Sequence, residues 1–275
     1  MRIVEFPRYA SFAQSLPNTI PYSEAVGFIA RVEKPDDVDY PFYVTAHEVA
    51  HQWWAHQVIG ADAQGATFLS ETMSQYSAMM VMEKEYGAAS MRRFLEYELD
   101  RYLIGRSVER KREMPLELVD SLRAATPDSL KYLIKDMFET ITLFELKADS
   151  AIATDAGDGR YRLDLYLTSK KLRADSLGAE TEVPMRDLVD IGIFARPARG
   201  EKTPDKDGVS IYLAKQLIHD GAQHVVLTVP KLPSRAGIDP LHKLISRLTT
   251  ENTIGVQNRA KRPQRPASSA AAKKS

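Results

Sequence analysis

The chain has 275 residues, with 37 basic and 37 acidic side chains, so its formal charge is zero and a nucleic-acid-binding surface spread over the whole protein is excluded. At 44% hydrophobic and 27% charged residues it can bury a core, which excludes wholesale disorder. It has no cysteine, so disulfide scaffolds, thiolate metal sites and cysteine nucleophiles are ruled out.

No apolar run approaches the roughly 18 residues of a membrane span. The N-terminus lacks the apolar stretch of a signal peptide, and the chain reads as soluble as given. Residues 1–40 are punctuated by Pro7, Pro17, Pro21 and Pro35 and read as short strands and loops, with an edge strand over 25–32. A helix is expected over 43–58, free of internal proline and glycine, with Gly60 as its C-cap. Ser70 is the expected N-cap of a second helix that runs to Glu85 or Tyr86 and stops at Gly87. Ser90 opens a third, whose apolar positions Met91, Phe94, Leu95, Leu99, Tyr102 and Leu103 keep helical spacing until Gly105. Thr126-Pro127-Asp128 marks another start, a cap followed by proline in the first turn, continuing to Met137 or Phe138.

Beyond Thr140 the period changes. Tyr161, Leu163, Leu165 and Leu167 alternate with Arg162, Asp164 and Tyr166, after a hairpin-turn sequence at 155–159. Further strands are expected over 141–147, 189–195, 209–214 and 224–229, and five short strands joined by turns read as a small β-sandwich. The domain boundary is expected near residue 147. From Arg259 onward six basic residues and no acidic one read as a solvated, disordered tail.

The chemistry concentrates in one stretch. Three of the six histidines (His47, His51, His56) and both tryptophans (Trp53, Trp54) fall within ten residues. His47-Glu48-Val49-Ala50-His51 is an H-E-x-x-H sequence on an expected helix. At about 100° per residue the two histidines lie about 40° apart and share a face, so their imidazoles can converge on one zinc ion. Glu48 points about 60° away from His51, able to reach a metal-bound water as general base without ligating the metal. His56 falls about half a turn round the helix from His47 and reads as structural. A catalytic zinc site wants a third protein ligand, and Glu71, which a helix–loop–helix hairpin returns beside the first helix, is the candidate.

With these residues in hand, the sequence resembles the gluzincin aminopeptidases of the M1 (membrane alanyl aminopeptidase) family. Residues His47 to Trp54 match that family's H-E-[LV]-x-H-Q-W-[FW], and Leu69-Ser70-Glu71 with Gln75-Tyr76 is similar to its L-N-E-G-x-x-x-Y. The family spacing is H-E-x-x-H-x18-E, and here one extra residue sits between His51 and Glu71. The likeness is strongest to bacterial proteins in which the peptidase domain follows an ABC-transporter permease region, over 6–30, 40–112 and 125–183. The expected organisation is α+β: by the resemblance, a shortened zincin-like helical metallopeptidase domain with a short N-terminal β segment over 1–147, and by the strand and charge patterns, a β-sandwich domain over 148–257 and the basic tail at 258–275. The resemblance also implies one Zn2+ per chain and a peptide substrate, while charge balance and hydropathy give no nucleic acid and no span in this chain. Membrane association would come only through a permease region upstream.

Two further expectations come from the resemblance. Glu24 lies where the family's G-x-M-E-N glutamate binds the substrate's α-amine, though only the glutamate itself matches. The family's downstream tyrosine, which donates to the tetrahedral oxyanion, has no counterpart, and a deletion near Val119 accounts for it. Tyr76, Tyr97, Tyr102 and Tyr132 read as core residues on helical faces. The expected function is a zinc metallopeptidase, most simply an aminopeptidase, of low activity. The alternatives are a zinc-binding, catalytically impaired accessory domain of a transporter, and a thermolysin-like endopeptidase.

Overall fold

The computed structural model describes residues 1–34, 37–60, 62, 65–108, 116–198 and 207–259, so Pro35, the stretch 109–115 and the tail beyond Arg259 lie outside it. The chain is α+β, with two short strands and then helices before Thr140 and long strands after it.

Two short parallel strands come first, β1 (Arg2–Phe6) and β2 (Thr19–Ser23), with Arg2 opposite Thr19 and Phe6 opposite Ser23. Ile20 and Tyr22 of β2 form a small core with Val26, packed on Ala13 and on Val44 and Val49 of the first helix. The strand expected over 25–32 is a turn instead. The Ser23 hydroxyl accepts from the Ala25 N–H, and the carbonyls of Ser23 and Glu24 accept from residues 26 to 29, so a local side-chain cap curls the chain.

Helix α1 (Tyr40–Ala50) starts three residues earlier than expected, because the Asp39 carboxylate caps the Phe42 N–H at 3.0 Å and Pro41 sits in the first turn. It also ends earlier, where Trp54 and Val58 close a turn around Ala55, whose φ is +106°. Gly60 is therefore no cap. A β-carbon there would strike the Ala66 backbone, so its role is close approach of the returning chain. A π turn (Phe68–Thr72) leads into α2 (Met73–Tyr86), which ends at Gly87 with φ +80°, as its sequence implies. Ser70 caps nothing; its hydroxyl donates back to the Thr67 carbonyl.

A 3₁₀ turn (Ala88–Ser90) opens α3 (Met91–Val108), which runs through Gly105 in helical conformation. No neighbour comes near that glycine, so it costs only helix propensity. Tyr43 of α1, Ala78 and Met82 of α2, and Met91 and Phe94 of α3 make the helical core. Helix α4 (Leu116–Ala125) carries the buried Val119, and Thr126 donates to the Leu122 carbonyl instead of capping the next helical turn. The segment after it changes pitch twice, from 3₁₀ (Asp128–Leu130) through α5 (Lys131–Ile134) to a π turn (Lys135–Glu139).

The strands are β3 (Ile141–Gly157), β4 (Arg160–Ala174), β5 (Glu180–Val183), β6 (Arg186–Ala195), β7 (Val209–His219), β8 (Gly221–Val229), β9 (Pro233–Ile238), β10 (Thr253–Gly255) and β11 (Gln257–Asn258). One sheet has the order β11-β3-β4, with β5 and β8 sharing the far edge of β4; the other has the order β10-β9-β6-β7. Leu163, Leu165 and Leu167 from the first meet Val189, Ile191, Ile193, Ile218 and Ile238 from the second in one core. All five expected strands form and are longer than expected. The boundary moves from 147 to 140, since β3 runs unbroken through Lys147. Asn258 and Arg259 belong to the β unit rather than to a tail, as β11 pairs with β3 and Arg259 N–H donates to Ala153.

Buried polar contacts join the two parts. Arg92 of α3 pairs with Asp207. Lys171 of β4 pairs with Asp136 and Asp187, and the Tyr132 hydroxyl accepts from Leu188 N–H.

Candidate metal centre

Helix α1 presents His47 and His51 one turn apart, and α2 packs against α1 with the preceding π turn beside them. The two Nε2 atoms are 3.0 Å apart, and Glu71 Oε2 lies 3.3 Å from the first and 3.5 Å from the second. Among the described residues this is the group whose ligand atoms converge in a metal-like cluster. A tetrahedral ion with ligands at about 2.0–2.1 Å separates its donor atoms by roughly 3.3–3.4 Å, so the triangle fits one face of such a coordination shell. Two imidazoles and a carboxylate are also the donor chemistry zinc takes.

The π turn has a role in this. It holds one residue more per turn than an α-helix, and Glu71 sits inside it.

His51 is oriented from behind. Its Nδ1 is 3.0 Å from the Trp54 carbonyl and 2.9 Å from Ser74 Oγ, so Nδ1 carries a proton and Nε2 is the atom that faces Glu71. Sequence reasoning missed Ser74, although it stands one helical turn beyond Glu71. His47 Nδ1 is buried and has no partner among the described residues.

The hydrogen bonds of His47 and His51 hold the Glu71 carboxyl far below the usual range, and Glu71 in turn raises His51. Glu48 is only 7% exposed, and burial raises its pKa, opposed by the nearby His47 and His51. It lies outside the converging triad.

Glu24 is not part of the cluster. It follows β2, and its carboxylate accepts the Arg8 N–H at 3.3 Å. His56 stays outside as expected, but for another reason: it is beyond the end of α1, with Nε2 3.2 Å from the Ser15 carbonyl. Of the tyrosines read as core, Tyr76 and Tyr102 are exposed. Buried tyrosine hydroxyls are committed elsewhere, Tyr22 to the Pro41 carbonyl and Tyr43 to Glu98.

A scan of protein-family models gives no match to this chain, and a search of curated proteins gives none either.

Proposed function

We propose that this protein is a zinc-dependent metallopeptidase of the zincin type, with aminopeptidase action as the simplest form. The observation that carries the reading is the triangle of His47 Nε2, His51 Nε2 and Glu71 Oε2, with edges of 3.0 to 3.5 Å, beside the buried Glu48. A zinc ion held by these three side chains supplies a Lewis acid and an acidified water. Glu48 accepts the proton of the attacking water and passes it to the leaving amine. The Trp54 carbonyl and Ser74 keep the His51 ring in the orientation and tautomer that ligation needs. Glu24 is the residue assigned to the substrate's α-amine, which would separate an aminopeptidase from an endopeptidase.

Turnover is expected to be low. Stabilising the oxyanion normally needs a donor besides the metal, and losing one costs roughly 10²–10³ in rate. The commitment of the Tyr22 and Tyr43 hydroxyls supports this, and it also favours the second reading, a zinc-binding accessory domain without useful catalysis. Steady-state assays on a panel of aminoacyl anilides and their N-acetylated forms test the proposal. Slow cleavage of the free-amine substrates alone, abolished by Glu48→Gln, is expected. Equal cleavage by the Glu48→Gln variant would exclude Glu48 as the base, and cleavage of acetylated substrates would exclude the amine role of Glu24.

A further inference from the structure

Residues 10–18 lie against the metal centre, and the reading above gives them no task. They double back along β2 as a short antiparallel partner. The Phe12 carbonyl accepts from Ser23 N–H at 3.1 Å, and Gln14 N–H donates to Pro21 at 3.1 Å. Leu16 and Thr19 exchange both backbone bonds, at 2.8 and 3.0 Å, across the two-residue corner Pro17-Asn18. Proline presets the first corner, and Asn18 takes the left-handed second one with φ +57°. Since β1 already pairs with the opposite edge of β2, both edges of that strand are closed.

Side chains fasten the segment from the motif itself. Gln52, the residue after His51, donates to Ser15 Oγ at 2.5 Å and to the Leu16 carbonyl at 3.0 Å, and accepts from Asn18 N–H at 2.9 Å. His56 reaches the Ser15 carbonyl, and Ser23 Oγ donates to the Ala10 carbonyl at 2.6 Å. Ala13 packs beside Val44 and Val49, which flank Glu48 on α1. The segment therefore lies along the side of α1 that carries the proposed base. A free strand edge next to a hydrolytic centre is where an extended peptide is held, main chain to main chain.

We propose that residues 10–18 are a strap, latched by Gln52 and His56, that fills a peptide-binding edge of β2 beside Glu48, so that an extended peptide enters only when the strap is displaced. This rests on the metallopeptidase reading. A single-residue amide does not need the edge, whereas a longer peptide competes with the strap for the Ser23 N–H and the Pro21 carbonyl. Gln52 and His56 act on the strap and not on the reacting atoms; they are positioning residues.

The experiment uses the full chain with two variants, the double change Gln52→Ala/His56→Ala and the strap-side change Ser15→Gly, which leaves the histidine motif untouched. Amide hydrogen exchange is followed at Gln14, Leu16 and Ser23, with tetra-alanine as probe in metal-stripped protein, so the readout is independent of turnover. Losing the Gln52 bonds should speed exchange at Gln14 and Leu16 and tighten tetra-alanine binding by about tenfold, with a smaller effect in the same direction for Ser15→Gly. In zinc-loaded protein, hydrolysis of leucine p-nitroanilide should change less than twofold while tetra-alanine cleavage rises. Unchanged exchange at Gln14 and Leu16, or faster exchange with unchanged tetra-alanine affinity, would overturn the strap. Loss of zinc from both variants would overturn it too, since these residues would then be holding the ligand set. A wild-type chain that binds no zinc would defeat the metallopeptidase reading instead, and tetra-alanine affinity would still decide the strap.

Discussion

At the scale of single residues, the proposed zinc site depends on groups that never touch the ion. Ser74 is fully buried and stands 2.9 Å from His51 Nδ1. Removing such a support typically costs 10–100-fold in metal affinity, so Ser74→Ala should weaken zinc binding by about tenfold in a chelator competition titration while leaving the fold intact. Glu48→Gln should keep zinc at the wild-type level and lose hydrolysis by at least about 10². Helical spacing made the shared face of His47 and His51 legible, whereas Glu71 followed from the need for a third ligand and a helix–loop–helix return. The sequence hid Ser74 and Gln52, because a serine one turn past a ligand, or a glutamine beside one, has no pattern of its own. Their roles exist only once α2 and residues 10–18 have folded against α1.

Among the elements, the departures from sequence expectation have local causes. Asp39 starts α1 early, and its other carboxylate oxygen accepts from the Tyr86 hydroxyl at 2.6 Å, tying α1 to α2. Asp39→Ala should therefore lower stability by about 1–2 kcal/mol, measurable as a drop in the denaturant midpoint. In β3 the inward set changes from Leu146 and Ala148 to Ala151 and Ala153, because a bulge lies between Ala148 and Ser150. Period-two reading stops at such a point, which is why the strand was legible only as far as Lys147. Short β9 was invisible because Gly237 breaks its alternation; the Asn252 backbone passes too close for any side chain there. Asp239, just after β9, is 1% exposed, and burial raises its carboxyl to about 6, against the Leu244 and Lys243 N–H groups that favour its charge. The folded state holds this proton more tightly than the unfolded chain does. Asp239 thus costs stability above pH 6, and the cost disappears as pH falls below the ordinary carboxylate value. Asp239 has φ +42°, a conformation asparagine also tolerates. The difference in thermal midpoint between wild type and Asp239→Asn should shift in favour of wild type from pH 7 to pH 4.5. A constant difference across that range would refute the assignment.

For the whole molecule, the helices and the two sheets are joined by buried charges as well as by chain continuity. Lys171 is 4% exposed and holds Asp136, from the last helical turn, together with Asp187 of β6, with the rings of Tyr132 and Phe144 against its ammonium. Lys171→Met leaves the buried Asp187 without its cation, and Asp136 with Arg173 alone, and should cost about 3–5 kcal/mol in a denaturant titration. The two-part architecture was legible in the change of period after Thr140, but the joint was not, since its partners come from segments 16 to 35 residues apart. The site depends on long-range assembly of the same kind: α1 and the turn that leads into α2 must meet for three donor atoms to form a triangle of 3.0 to 3.5 Å. The most direct test of the central claim is elemental analysis of purified wild type, His47→Ala and Glu71→Ala. The account predicts about one zinc per chain in wild type and its loss from both variants; equal zinc in all three proteins would contradict it.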